Sequence, residues 1–144
     1  MDGYIVIGVA NNFLTRADRS IETVEKATRL SPRDPFLSGF YAIKSEAFFI
    51  LREDGNAIES ARRSLALTPY HDPYVSLILI SASALNEQQA QAGEALKAYL
   101  ADGRARSKTI AQFQGQQLAL ASNAGWVTYN ERFVEGLRKA GFPP

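Results

Sequence analysis

The chain contains 144 residues, of which sixteen are basic and fifteen acidic, so its net charge is +1. A chain of this length can bury the core of a single domain. Its balanced charge excludes an overall field that would steer it toward nucleic acid or an anionic membrane surface. The absence of cysteine excludes disulfides and thiolate metal sites, and the longest early apolar run, Tyr4 to Ala10, is too short to span a bilayer. A cytoplasmic location is therefore the default expectation.

The first predicted helix covers 3–14, although the β-branched segment 4–7 is also compatible with a short strand. The second predicted helix, 16–30, has one apolar face and is closed by Pro32. The repeat that follows decides in favour of a helix for the first segment.

The third predicted helix covers 36–52. Asp34 is expected to cap it, with Pro35 in the first turn, where the missing N–H costs nothing. Gly55 and Asn56 are then expected to form the turn to the next helix.

An internal repeat organises this half of the chain. The pattern from Ser20 to Pro32 recurs thirty-seven residues later and ends at Pro69. Its second copy places the small residues Ala57, Ala61 and Ser64 on one side of a helix, where two backbones can approach closely. A period near forty residues with a closing proline is typical of stacked helical hairpins.

Two further helices are predicted over 73–86 and 88–101, and Thr109 is expected to cap another. The sequence predicts seven or eight helices in all, no convincing strand and no linker long enough to separate two domains.

The last helix is expected to follow a break at Gly125. Thr128 and Glu131 have the spacing of a capping box for it, and Gly141 provides its stop. Trp126 lies beside this break, where a tryptophan is more often a buried wedge than a ligand-stacking residue.

The paired helices, their small-residue side and their closing prolines resemble the tetratricopeptide (TPR) repeat family. The aromatic residues Tyr41 and Phe48 add to this resemblance. Two hallmarks differ, since Lys44-Ser45 stands where the family usually has Leu-Gly and no tryptophan opens a repeat. The resemblance implies an all-α, right-handed superhelix of antiparallel helical hairpins.

The resemblance is clearer over 1–85 and degenerate over 86–127, and the degenerate repeat with its capping helices occupies 86–144 of one domain spanning 1–144. Two shorter segments, Leu30 to Pro35 (LSPRDP) and Glu131 to Pro144 (ERFVEGLRKAGFPP), resemble the C-terminal TPR region of bacterial class III adenylate/guanylate cyclases. This second resemblance implies a regulatory part or a standalone relative of such a cyclase, without its catalytic domain.

Candidate catalytic and metal-binding residues are sparse. His71 is the only histidine and lies in a Tyr-His-Asp-Pro turn, where a solvated or capping histidine is the ordinary interpretation. Glu53 and Asp54 precede a glycine and lack further ligand spacing, and the glycines form no phosphate-binding motif. The sequence therefore predicts no catalysis, no cofactor and no metal.

Five basic residues raise the alternative of an RNA-binding helical repeat: Arg62, Arg63, Arg104, Arg106 and Lys108. A nucleic-acid interface needs clustered excess charge and interleaved aromatic residues, which this group lacks. The salt dependence of any binding would distinguish this alternative.

The TPR resemblance implies a protein or peptide partner, bound by a groove that one helix of each hairpin lines. The groove would be neutral and would favour apolar or helical partners. Its predicted lining is Gly39, Ala42, Glu46, Phe49, Ser76 and Ile80. The alternative places Phe49 and Ile80 in the core between repeats.

The beginning of the chain suggests self-association. No charged residue occurs between Gly3 and Thr15, whereas repeat arrays need polar ends. We expect Ile5 and Val9 to contact a second copy in a two-fold dimer, or an upstream domain.

Overall fold

The computed structural model describes residues 2–67, 73–118 and 123–144. Within these ranges the chain forms eight α-helices and no strand, which confirms the prediction of an all-α fold. The helices are α1 (Asp2–Phe13), α2 (Ala17–Leu30), α3 (Leu37–Ile50), α4 (Asp54–Leu67), α5 (Tyr74–Leu85), α6 (Gln89–Ala101), α7 (Ile110–Leu118) and α8 (Ala124–Ala140).

The internal repeat is visible in the bounds and the burial of the helices. Helix α4 begins and ends thirty-seven residues after α2, and α5 begins thirty-seven residues after α3. The two copies bury equivalent positions, which are Ser20, Val24 and Ala27 in α2 and Ala57, Ala61 and Ser64 in α4. The small-residue side predicted for α4 is therefore a packing surface.

Serine side chains link the helices where they cross. The Ser20 hydroxyl on α2 donates to the Gly8 carbonyl on α1 at 2.8 Å. The Ser64 hydroxyl on α4 donates to the Ser38 carbonyl on α3, also at 2.8 Å. Each buried hydroxyl finds an acceptor on the neighbouring backbone, so the close approach leaves these polar groups satisfied.

Helix α8 departs from the sequential packing of the hairpins. Helix α3 contacts both α1 and α5, and α8 packs mainly against α5. The ring of Trp126 on α8 lies 5.3 Å from Phe13 at the end of α1, and Tyr129 of α8 packs edge-on against Phe49 of α3 at 5.8 Å. Helix α8 therefore extends over the face that α1, α3 and α5 form.

The crossing of α8 over α5 depends on Gly136. The Ser81 hydroxyl on α5 donates to the Phe133 carbonyl on α8 at 2.8 Å. A Cβ atom at Gly136 would lie 2.7 Å from the Ser81 carbonyl oxygen, closer than real Cβ atoms come to a backbone. Glycine is required here because any side chain would push the two helices apart.

The start of α3 differs from the prediction. Asp34 Oδ1 accepts a hydrogen bond from the Phe36 N–H at 2.8 Å, which closes a turn before the helix. The helix begins at Leu37, and Phe36, at its N-cap position, makes no side-chain cap. The prediction that Asp34 caps α3 is wrong, because its carboxylate is used by this local turn.

The turn between α3 and α4 also differs from the prediction. Arg52 has a left-handed φ of 62°, and α4 already begins at Asp54. Gly55 and Asn56 are therefore in the first turn of α4 and do not form the connection. An aspartate at this end is favourable because its charge complements the helix dipole.

Helix α8 begins earlier than the sequence suggested. Asn123 caps it by accepting a hydrogen bond from the Trp126 N–H at 2.8 Å. Gly125 lies inside the first turn and does not break a helix, and the Thr128 hydroxyl bonds to a carbonyl of its own helix. The predicted stop is confirmed, since Gly141 has the left-handed φ of 89° that glycine tolerates.

Candidate functional site

Helix α8 is held against helices α3 and α4 by charge as well as by packing. The Arg132 guanidinium donates to Asp54 Oδ2 at 2.6 Å, and the two side chains are only 19% and 12% exposed. The same guanidinium lies 5.0 Å from the centroid of the Phe49 ring. Because this pair is largely shielded from water, removing one partner would leave the other charge poorly solvated.

A cavity of about 610 Å³ opens beside α8, between helices α1, α3, α5 and α7. Sites for small molecules and side chains usually have volumes of about 300 to 1,000 Å³. The aromatic side chains that line this cavity are Phe13, Tyr74, Tyr99, Phe113 and Trp126.

Two groups of opposite formal charge line the same cavity. Glu46 comes from α3, and Arg106 comes from the segment between α6 and α7. Within residues 2–67, 73–118 and 123–144, neither side chain has a partner at ion-pair distance. Arg106 is exposed and Glu46 is partly buried, so the cavity is accessible from solvent.

The segment that carries Arg106 is held at both ends. The Tyr99 hydroxyl donates to the Ser107 carbonyl at 2.6 Å, and the Ser107 hydroxyl donates to Gln116 Oε1 at 2.8 Å. On the solvent side Asp102 pairs with Arg104 at 2.8 Å, and the hydrogen bonds from Arg104 lower the pKa of this carboxyl. These bonds fix the wall of the cavity that α6 and α7 provide.

The N-terminus of α7 is satisfied by two separate parts of the chain. The Thr109 hydroxyl accepts from the Gln112 N–H at 3.2 Å, as the sequence predicted. The Pro143 carbonyl accepts from the Ile110 N–H at 2.8 Å. Phe142 packs its ring 5.8 Å from that of Tyr99, so the segment after α8 closes the base of this wall.

The electrostatics of Glu46 are unusual for a carboxyl group. Desolvation by burial raises its pKa to about 7, and hydrogen bonding by Asn12 and Tyr74 offsets part of that effect. The hydroxyls of Tyr74 and Tyr129 lie 3.0 Å apart, and burial raises the pKa of Tyr129 well above its usual value. Glu46 can therefore change its charge near neutral pH within a polar network that joins four helices.

Trp126 has the buried position that the sequence suggested. It is 4% exposed, and its ring lies 5.3 Å from Phe13 and 5.0 Å from Tyr129. Within the described ranges its ring nitrogen has no hydrogen-bond partner, and the same is true of Oε1 of Gln117. Both residues line the cavity, but these two polar atoms are themselves buried and do not face its open space.

The six residues predicted to line a groove separate into three groups. Phe49 and Ile80 are 1% and 0% exposed and belong to the main core, so they are not groove residues. The Phe49 ring packs against the aromatic residues of α8. Ile80 is a residue of α5 and is buried in the same core. Gly39, Ala42 and Ser76 are partly buried. Among the six, Glu46 lines the cavity.

The two residues predicted for self-association point in different directions. Ile5 is partly buried and packs against the small core formed by Val24, Ala27, Phe40 and Ile43. Val9 is 51% exposed, together with Val6 at 66% and Ile7 at 51%. Of the two predicted residues, Val9 is therefore on the exposed apolar side of α1, together with Val6 and Ile7, whereas Ile5 is on the side that packs against the protein.

The cavity was not predicted from the sequence. Its aromatic lining comes from five separate segments, so no local spacing marks it.

The predicted turn residues His71 and Asp72 lie outside the described residues. Within 2–67, 73–118 and 123–144, no group of three His, Cys, Asp or Glu side chains could hold a metal ion. In those same ranges no helix has the length and apolar character needed to cross a membrane.

Comparisons with protein-family models, with curated proteins and with solved structures found no match for this chain. The TPR and cyclase resemblances therefore stay expectations based on the sequence motifs.

Proposed function

We propose that this chain is a non-catalytic protein-interaction module of the TPR type, with a docking surface on α1. The observation that supports this proposal is the α1 face, which we define as Val6, Ile7, Val9 and Leu14. These side chains are 66%, 51%, 51% and 49% exposed. Val6 and Val9 lie about one turn apart on α1, and Leu14 directly follows the last residue of the helix, so the α1 face runs along one side of α1 to its C-terminal end.

The opposite side of α1 is already used. A Cβ atom at Gly8 would lie 3.0 Å from Cγ2 of Ile43, which shows how closely α1 approaches α3. A helix that is apolar on both sides is normally buried on both sides, and α1 has no charge between Gly3 and Thr15. Burial of apolar surface contributes about 25 cal/mol per Å², so covering the α1 face would be favourable.

A second copy of the chain is the first partner to test. An uncharged, apolar stripe is compatible with its own image across a two-fold axis, because no like charges would meet. Sedimentation velocity over increasing concentration should show a dimer for the wild type and a monomer for Val6→Glu/Ile7→Glu. Leu30→Glu is the matched control, since Leu30 is 65% exposed but lies on α2.

The two variants separate the possible explanations. The proposed dimer requires the Leu30 variant to behave as wild type while the α1 variant dissociates. A wild type that stays monomeric at the highest concentration would exclude the second copy and leave a different protein as the partner.

As a second candidate we propose a regulatory role toward a class III nucleotide cyclase. It is supported by the segment 131–144, which resembles those proteins and forms most of α8 and the turn after it. Adding the purified chain to the catalytic domain of a class III cyclase from the same genome should change the rate of cyclic nucleotide formation. An unchanged rate at saturating chain concentration would contradict this role.

A further inference from the structure

The cavity beside α8 combines features that neither the hairpin packing nor the α1 face explains. Five aromatic side chains surround a space of about 610 Å³. A carboxyl group, Glu46, is on its wall without an ion-pair partner in the described parts of the chain. A core that needed only to be stable would fill such a space with apolar side chains.

The chemistry of the wall favours a positively charged guest. A carboxylate removed from water is stabilised by an opposite charge, and aromatic faces attract cations, more strongly where water is excluded. The partly buried Glu46 faces a pocket whose lining also includes Val9 and Leu77, which suit an apolar body.

We propose that this cavity binds a monovalent organic cation, an amine with an apolar or aromatic body, whose charged group lies against Glu46. The body of the cation lies among the aromatic side chains that line the cavity. Val9 borders both the cavity and the α1 face, but the charged group of the site, Glu46, lies on α3, so either proposal can fail alone.

Other charged and titratable groups near Glu46 set the selectivity. Tyr74 on α5 hydrogen bonds to Glu46, and its hydroxyl lies 3.0 Å from the hydroxyl of Tyr129 on α8. Arg132, also on α8, interacts electrostatically with Tyr129. Arg132 is already paired with Asp54. Arg106 is at the exposed edge, where its positive charge disfavours a guest with several positive charges.

Trp126 makes the site directly measurable, because it is the only tryptophan of the chain and lines the cavity. Its fluorescence is followed during titration with three probes of the same shape, phenylpropylamine, phenylpropanol and phenylpropionate. Near pH 8, where the Glu46 carboxyl is mostly ionised, we expect the amine to bind at least about tenfold more tightly than the alcohol, and the propionate least tightly.

The pH dependence and one variant assign this preference to Glu46. Binding of the amine should weaken as the pH falls through about 7, the pKa of Glu46, whereas binding of the alcohol should not change. Glu46→Gln should remove the preference for the amine and retain the binding of the alcohol. Glu94→Gln, on the exposed side of α6, is the matched control and should bind as wild type.

A comparison of two peptides identifies the source of the cation. An acetylated tripeptide amide with a central lysine is compared with its norleucine analogue. Tighter binding of the lysine peptide assigns the site to a side chain of a protein, and binding of the free amine alone assigns it to a small molecule. Equal affinities for the three phenylpropyl probes, stronger binding of the propionate, or no saturable binding would overturn the proposal. The pH titration of wild type decides the question even where Glu46→Gln does not fold.

Discussion

Gly136→Ala is the substitution that most directly tests how α8 is attached to the rest of the protein. An alanine Cβ at this position would lie 2.7 Å from the Ser81 carbonyl oxygen and would also meet the Ser81 hydroxyl. Because the first of these atoms belongs to the backbone of α5, the conflict is relieved only if the helices separate. Overpacking of this kind costs about 1 to 3 kcal/mol, and we expect the upper part of that range.

Gly136→Ala also has two smaller effects on stability, which act in opposite directions. Separation would weaken the hydrogen bond from the Ser81 hydroxyl to the Phe133 carbonyl, a loss of about 1 kcal/mol. Alanine in place of glycine favours the helix by about 1 kcal/mol. These two effects nearly cancel, so the free energy of unfolding should fall by about 2 to 3 kcal/mol. At roughly 3 °C per kcal/mol, the Tm should decrease by about 6 to 9 °C.

The control is the same substitution at Gly93, inside α6, where an added Cβ meets no atom within 4 Å. Gly93→Ala should raise the Tm, because only the gain in helix propensity acts there. Circular dichroism melts of the two variants therefore give opposite signs. A Gly136→Ala protein that melts at or above the wild-type temperature would refute the close crossing of α5 and α8.

Three further predictions concern packing, charge and pH. Ala61→Leu should destabilise the fold by about 1 to 3 kcal/mol, because the side chain is fully buried between helices, and an unchanged Tm would exclude this packing surface. Arg132→Met should cost roughly 2 to 4 kcal/mol in urea unfolding by leaving the Asp54 carboxylate shielded and unpaired, whereas Arg63→Met, in an exposed pair, should leave the Tm unchanged. Because burial raises the pKa of Glu46 in the folded protein from 4.5 to about 7, the free energy of unfolding decreases as the pH rises from about 4.5 to about 7. Glu46→Gln should abolish that loss of roughly 1 to 3 kcal/mol, and equal pH profiles of the two proteins would contradict it.

The helices could be predicted from the sequence because their signals are local. The thirty-seven-residue repeat and its small residues correspond to α2 and α4 within a few residues. Local signals also account for the errors at helix ends. At Asp34 a turn and a helix cap compete for the same carboxylate, and at Gly55 a residue that favours turns is tolerated in the first turn of a helix.

The cavity could not be predicted because it depends on contacts between distant parts of the chain. The placement of α8 on α5 brings Trp126 to Phe13, more than one hundred residues earlier, and nothing in the local pattern of either segment indicates that contact. The sequence predicts Glu46 only as a groove residue, because it lies on the third helix. Its unusual environment arises only where Asn12 and Tyr74 approach it.

The proposal of a protein-interaction module is tested most directly by photo-crosslinking in the cells from which the protein comes. A photoreactive amino acid replaces Ile7 on the α1 face in one version and Lys97, an exposed residue of α6, in the other. A docking surface on α1 predicts a discrete protein adduct, with another protein or with a second copy, at position 7 and not at position 97, and its loss when Val6→Glu is added. The absence of an adduct at position 7, or identical adducts at both positions, would exclude a docking surface on α1.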